Sequence, residues 1–193
     1  MYEYISGKLA ELTPAVAILD QGGIGYLIQI SLQTYSTLRG KEQAILLIEE
    51  VIREDSHTLF GFASGEEREM FRLLISVSGI GPNTARMMLS SLTTPDIRRA
   101  VQTDNVTLLK SVKGVGIKTA QRVIIDLRDK IGKTEEVGGI LPSPGNTAKD
   151  EALSALVMLG FSRNESVKAL DQIQRENPSN GAEELVKLAL KKL

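Results

Sequence analysis

Two copies of one short motif contain the residues best suited to chemistry in this chain. Residues 76–85 and 111–120 align without gaps at an offset of 35 positions, and six of the ten aligned residues are identical. Apolar residues recur at helical spacing on both sides of each copy, and Gly-apolar-Gly stands near its centre. Each copy therefore predicts one helix, a tight turn and a second helix.

The glycines of these turns predict a backbone site for phosphate. Glycine reaches positive φ without strain and leaves no side chain between the turn and an approaching group. The helix that follows directs its unpaired amides and the positive end of its dipole at the same point, which is the geometry of an anion site. Ile80 and Val115 are expected to anchor the two turns in the core between the helices. The motif thus predicts binding to the DNA backbone with little dependence on base sequence.

Side chains that follow each turn extend the predicted site. Lys118 and Arg122 are four residues apart and add positive charge beside the second turn, and Arg86 is expected to do so beside the first. The predicted DNA-binding residues are Gly79, Ile80, Gly81, Asn83, Thr84, Arg86, Gly114, Val115, Gly116, Lys118, Thr119 and Arg122. The alternative interpretation is a pair of helical hairpins that serve packing alone. Two matched copies within one basic segment favour DNA binding.

That basic segment is hidden by the overall charge of the chain. The formal net charge is −1, but residues 1–64 carry −4, residues 65–133 carry +5 and residues 134–193 carry −2. Both motif copies lie in the basic part. Neutralisation of phosphates by Lys and Arg supplies most sequence-independent affinity for nucleic acid. The charge therefore suits a DNA-binding module, although an ordinary solvated helical surface can carry as much.

The elements that must position the turns predict an α+β multidomain protein. Residues 1–64 alternate β-rich apolar stretches with turns, which predicts a small β-barrel. Residues 65–133 show helical spacing. Residues 134–147 are rich in Gly, Pro and Ser and predict a flexible linker, and residues 148–193 predict a three-helix bundle. The predicted strands are residues 15–20, 26–30, 44–53 and 58–62.

Composition argues against several classes of enzyme. The chain has no cysteine, which excludes disulfides, thiolate metal sites and cysteine nucleophiles. His57 is the only histidine, and no Gly-x-Ser-x-Gly motif is present to complete a serine triad. A phosphate-loop signature fails because Leu127 stands where its first glycine belongs. We expect a non-catalytic protein without cofactor or metal and, since no signal peptide or membrane segment is predicted, a cytoplasmic one.

Short motifs along nearly the whole chain resemble the RuvA family. Beside the paired helix-hairpin-helix motif, they are residues 1–7, 51–55, 59–62 and 159–161. The resemblance implies an N-terminal OB-fold barrel and a UBA-like C-terminal bundle. It also implies a homotetramer that binds the four-way Holliday junction in homologous recombination and DNA repair, with one or two tetramers on each junction. Residues 148–193 would recruit the hexameric ATPase RuvB, and RuvC would resolve the junction.

The resemblance also assigns roles outside the turns. Glu54 and Asp55 match the acidic pin that the family places at the junction centre; on residue type alone the pair fits a solvated turn, and it is a poor magnesium site. Leu156, Leu159 and Leu190 are candidates for contact with the motor, although each also suits the bundle core. Asn83 replaces a lysine that the family often carries, which weakens the expectation of a side-chain contact there.

Two other function classes remain open from the sequence. A helix-hairpin-helix glycosylase or nuclease would need a catalytic Lys/Asp pair or a carboxylate metal site, and activity on damaged duplex would reveal it. A single-strand-binding OB protein would need exposed aromatic platforms. Six of the eight aromatic residues lie in residues 1–64, where Phe60 and Phe62 alternate as core residues do. Comparison of affinity for single strands with affinity for a four-way junction separates this class from the prediction.

Overall fold

The chain forms two compact units in a computed structural model that describes residues 1–137, 148–176 and 180–193. The first unit is Met1–Gly132 and the second is Lys133–Leu193. The first contains five strands and most of the helices, and the second contains three further helices beyond the end of a long helix. The predicted α+β multidomain class is confirmed.

Five strands close into a barrel, as the β-rich pattern predicts. The strands are β1 (Tyr4–Leu12), β2 (Val16–Gln21), β3 (Ile24–Ile30), β4 (Gln43–Ile52) and β5 (His57–Phe62), in the order β1-β2-β3-β5-β4. All neighbours are antiparallel except β3 and β5, which are parallel. Alternate residues point inward, so that the barrel core includes Ala17, Leu19, Ile28, Ile30, Leu46 and Ile48.

A short helix, α1 (Leu32–Leu38), joins β3 to β4 and carries a buried polar contact to the helical part. Ser31 caps α1, and the hydroxyl groups of Ser31 and Thr34 both donate to the carboxyl group of Glu67. Burial raises the pKa of Glu67 above its ordinary value, although the two hydroxyl groups act in the opposite direction. The two hydrogen bonds hold α1 against the helix that contains Glu67.

Five helices follow the barrel, and strand β5 contributes two aromatic residues to their core. They are α2 (Gly65–Ile75), α3 (Pro82–Ser91), α4 (Thr94–Gln102), α5 (Val106–Lys110) and α6 (Ile117–Val137). The rings of Phe60 and Phe62 from β5 lie 5.0 and 4.9 Å from that of Phe71 in α2. Ser64, where the sequence suggests a domain boundary, is the N-cap of α2. Residues 1–64 and 65–132 are therefore two parts of one packed body.

The long helix α6 ends later than the sequence predicts. The predicted linker, residues 134–147, begins inside this helix, which continues to Val137. A helix in progress gains one backbone hydrogen bond per added residue, and Gly132 does not stop it. Residues 138–147 of the predicted linker lie outside the described residues.

The second unit has its own core, as expected for a three-helix bundle. Its helices are α7 (Ala148–Met158), α8 (Arg163–Glu176) and α9 (Ala182–Ala189). The buried apolar residues are Ala152, Leu156, Ala169, Leu170, Ile173, Leu185 and Ala189. Across both units, no helix within the described ranges is long and apolar enough to cross a membrane.

Candidate nucleic-acid interface

The first glycine turn joins α2 to α3 in the predicted helix-hairpin-helix arrangement. Gly79 has φ of +93°, the left-handed conformation for which glycine is suited. The amide of Ile80 donates to the carbonyl of Val77 at 3.1 Å, and the Ile80 side chain is buried. The carbonyl of Gly81 accepts the amide of Ala85 at 2.9 Å as α3 begins. The turn is thus anchored by its apolar residue, as the sequence predicts.

The second turn, between α5 and α6, has the same geometry. Gly114 has φ of +90°, the amide of Val115 donates to the carbonyl of Val112 at 3.1 Å, and Gly116 accepts from Ala120 at 2.9 Å. Val115 is as deeply buried as its counterpart in the first turn. The sequence repeat is therefore a repeat of backbone structure. We call residues 76–81 turn 1 and residues 111–116 turn 2.

Both turns leave backbone donors facing outward. Gly81 caps α3 without a side-chain hydrogen bond, and in the described part of the chain no acceptor pairs with the amides of Asn83 and Thr84 or of Lys118 and Thr119. A Cβ added at any of the four glycines would meet no protein atom within 4 Å. The described residues therefore leave the space above each turn empty. Open space, free amides and a helix N-terminus together form a site for an anion such as phosphate.

Cationic side chains of α6 lie beside both turns. Lys118 and Arg122 are exposed on α6, and a guanidinium nitrogen of Arg122 donates to the hydroxyl of Ser78 in turn 1 at 3.3 Å. This contact brings the second hairpin beside the first. Lys113 is also exposed and directly precedes Gly114. Sequence analysis missed Lys113, although its place next to the motif glycine could have indicated it.

Arg86 is directed away from the position that the sequence predicts. Its guanidinium group is partly buried, and one nitrogen donates to the barrel carbonyls of Ala15 at 3.1 Å and Ile30 at 3.3 Å. Its side chain leaves α3 on the face that packs on the barrel, which the spacing from turn 1 does not predict. It joins the hairpin to the barrel instead of lying beside turn 1.

The two acidic residues lie at the tip of the β4–β5 hairpin. The amide of Arg53 donates to the carbonyl of Ser56 at 2.8 Å, which places Glu54 and Asp55 at the exposed tip. Nowhere in the described residues do His, Cys, Asp or Glu cluster in a way that could hold a metal ion. His57, at the start of β5, contacts Glu50 at 2.5 Å. The acidic turn therefore presents two negative charges to solvent.

The C-terminal leucines divide between core and surface. Leu156 is fully buried in the second unit, which agrees with the core alternative and leaves it no exposed surface for a partner. It faces the bundle because it lies one helical turn after Ala152, another core residue. Leu159 and Leu190 are 60% and 44% exposed. The neighbouring Met158 is 77% exposed and was missed, because helical spacing alone does not say which apolar face is covered.

Phe60 and Phe62 offer no surface for single-strand binding, whereas Tyr2 and Tyr4 of the barrel part are exposed. Phe60 and Phe62 are 2% and 1% exposed and pack on Phe71. Base stacking needs exposed rings. These two residues therefore belong to the core, as their alternation suggests.

Comparison with known proteins accounts for all three parts of the chain. Family models match the RuvA N-terminal domain over residues 1–61, a SAM-like tandem helix-hairpin-helix over residues 71–129 and the RuvA C-terminal domain over residues 147–193. Curated relatives match over the full length of both chains. They include proteins of Bacteroides fragilis and Bacteroides thetaiotaomicron, each 50% identical, and of Christiangramia forsetii, 47% identical. The chain belongs to the RuvA family. Each of these relatives is called Holliday junction branch migration complex subunit RuvA.

Membership of the RuvA family agrees with the geometry of the turns. The tandem helix-hairpin-helix match covers both turns and the residues around them. The N-terminal match ends within β5 and includes the acidic turn. The two features that the sequence singles out as interfaces thus lie in regions that the family shares.

Proposed function

We propose that this protein binds four-way Holliday junctions as the non-catalytic DNA-binding subunit of a branch migration complex. The observation that carries the proposal is the pair of matched turns with free amides and open space above their glycines. Family membership supports it, since the named relatives are subunits of such a complex. The proposed DNA-binding residues are those of the two turns with Asn83, Thr84, Lys118, Thr119 and Arg122.

The turns would hold DNA by its backbone. Amides at the start of α3 and α6 donate to phosphate oxygens, while Lys118 and Arg122 neutralise charge beside them. Such contacts fix where the backbone lies but do not read the bases. One subunit would bind one stretch of duplex through both turns, and the four subunits of a homotetramer would bind the four arms of a junction.

The acidic turns would define the centre of this assembly. In a fourfold arrangement, four copies of Glu54 and Asp55 would place negative charge where strands exchange. Phosphates are repelled from that point by about 1 kcal/mol per close pair even at the dielectric of bulk water. This repulsion would direct separated strands into neighbouring arms and would slightly oppose binding.

The second unit would connect the junction to its motor. Leu159 and Leu190 expose apolar surface on a bundle with its own core, and such surface is suited to docking a partner. We assign residues 148–193 to contact with the ATPase RuvB, with residues 138–147 as the linker. ATP hydrolysis would take place in RuvB and junction cleavage in RuvC.

Salt dependence tests the proposed mode of binding. We expect junction affinity to fall at least about 100-fold between 50 and 200 mM salt, because each neutralised phosphate releases counterions. Fluorescence anisotropy with a labelled junction measures this. Replacement of Lys118 by methionine should lower the slope of log affinity against log salt by about one for each bound subunit, or roughly four for a tetramer on a junction. An affinity independent of salt would contradict backbone binding.

Neutralising the acidic turn should preserve binding and change its selectivity. The double variant Glu54→Gln, Asp55→Asn removes repulsion but keeps the shape of the exposed turn. We expect the junction affinity of this variant to equal that of the unmodified protein or to be up to about tenfold higher. The gain for linear duplex should be larger, because the repulsion acts on phosphates at the centre. Gel shifts with both DNAs measure the two affinities.

A matched control is the variant Glu11→Gln, Asp20→Asn, which removes the same charges from β1 and β2. It should not change the ratio of the two affinities. Loss of junction binding in the Glu54→Gln, Asp55→Asn variant would show that the pair has a structural role. A metal-dependent cleavage lost in this variant would show a catalytic one.

A further inference from the structure

Arg86 forms a contact that neither the turns nor the acidic residues explain. One guanidinium nitrogen donates to Ala15, just before β2, and to Ile30, the last residue of β3. The side chain therefore fastens the helix that follows turn 1 to two strands of the barrel. Ile30 pairs with Gly61 of β5. Strand β5 begins at His57, four residues before Gly61 and directly after the acidic turn. The contact lies about 13 Å along that strand from its start.

The same helix is held to the barrel side along the rest of its length. The amide of Leu32 donates to the hydroxyl of Ser90 at 3.1 Å. The Gln33 amide nitrogen donates to the carbonyls of Leu89 and Leu92, both at 2.6 Å. Arg86 is the contact nearest to turn 1 in this series. It is therefore the hydrogen bond of this series best placed to act on the direction of the turn.

The second hairpin is connected to the barrel largely through the first. Arg122 of α6 donates to Ser78, and Lys130 of α6 donates to Ser76 at 2.8 Å. Both acceptors lie in turn 1. A change in the orientation of turn 1 would therefore act on the second hairpin as well, and so on both phosphate sites.

The partly buried charge of Arg86 has a desolvation cost that a residue serving packing alone would not have. Burial lowers the pKa of Arg86, and its contacts within the described residues are to carbonyl oxygens, with no ion pair. Its Nε is buried and without a hydrogen-bond partner there. An apolar side chain would fill the space without this desolvation cost. The guanidinium group does what an apolar side chain cannot do, which is to direct α3 onto two particular carbonyl groups.

We propose that Arg86 is a positioning residue that sets the selectivity of this protein for four-way junctions over linear duplex. The inference rests on the proposed function. The acidic turn can disfavour a duplex that crosses the centre only if it is held at a fixed position relative to the two turns. Loosening the link between them would therefore weaken this discrimination and lower the ratio of junction to duplex affinity.

The test compares Arg86→Met and Arg86→Lys with Lys118→Met as the matched control. Affinities for a four-way junction and for linear duplex of equal length are measured across a salt series.

Arg86→Met should lower the ratio of junction to duplex affinity about tenfold, the effect of losing one charge-assisted contact. The slope of log affinity against log salt should not change. Arg86→Lys should restore most of the ratio, because an ammonium group can donate to both carbonyls and the unpaired Nε is not needed. Lys118→Met should lower the slope by about one for each bound subunit and weaken binding to both DNAs.

Three results would overturn the inference. A slope lowered in Arg86→Met by as much as in Lys118→Met, with an unchanged ratio, would show that Arg86 contacts phosphate itself. An unchanged ratio and slope would show that it serves packing only, as would a ratio that Arg86→Lys does not restore. Circular dichroism melts establish that each variant is folded, and Arg86→Gln, which is neutral but keeps an amide donor, replaces Arg86→Met if that variant is unfolded. If the unmodified protein itself has no preference for junctions, the proposed function fails, whatever Arg86 does.

Discussion

Replacement of Gly116 by valine is expected to reduce junction affinity about 100-fold or more while the protein stays folded. Gly116 is not in the left-handed region, and a Cβ there would meet no protein atom within 4 Å. The fold therefore tolerates the valine side chain. At this helix start, the substitution should lower the free energy of unfolding by no more than about 1 kcal/mol. The branched side chain would occupy the space through which phosphate reaches the amides of α6. Losing two charge-assisted hydrogen bonds per subunit is enough for the expected effect.

Gly114→Val is the informative comparison, because it should fail for a different reason. At φ of +90° a β-branched residue is strained, by at least about 1–2 kcal/mol. We expect a lower melting temperature for Gly114→Val and a nearly unchanged one for Gly116→Val, with binding lost in both. Unchanged junction affinity in folded Gly116→Val protein would mean that the turns are packing elements only.

Deletion of residues 148–193 is expected to abolish ATP-driven branch migration and to leave junction affinity within about twofold. The two units have separate cores, so the first should fold without the second. Junction binding is measured by gel shift and migration by strand dissociation with RuvB and ATP. Loss of both activities would show that the second unit supports the DNA-binding part and is not a separate docking module.

Point substitutions localise the docking surface within the second unit. Leu159→Asp and Leu190→Asp should stop migration without loss of helicity, because both side chains are exposed in the free protein. Leu156→Asp is the control for core damage, since this side chain is buried and its replacement should unfold the bundle. Normal migration by the folded Leu159→Asp, Leu190→Asp double variant would exclude these residues from the motor contact.

The turns could be predicted because their information is local. A left-handed glycine, a buried apolar residue and a helix start all follow from residue type within ten positions, and the repeat gave two independent examples. Strands β2 to β5 were predicted for the same reason. Strand β1 was not included among the predicted strands, because Gly7 and Lys8 interrupt its apolar pattern. In the structure Gly7 is required there, since a Cβ would lie 2.4 Å from the carbonyl oxygen of Asp20.

The remaining features depend on tertiary contacts that sequence spacing does not contain. Helix α1 has a β-branched and polar sequence, and its formation depends on the Ser31 cap and on Glu67, 33 positions after Thr34. The direction of Arg86 depends on where α3 lies against the barrel. Whether Leu156 or Leu159 faces outward depends on how the three helices pack. The sequence thus predicts which residues form the phosphate sites better than it predicts what holds them in place.

The most direct test of the account is a competition between a four-way junction and linear duplex of the same length. Both DNAs are titrated against the full chain at about 150 mM salt, and the arms of the junction are then exchanged for unrelated sequences. We predict at least about 100-fold tighter binding of the junction, in the range by which specific exceeds non-specific DNA binding, and no effect of arm sequence. Equal affinity for the junction and the duplex would contradict the account.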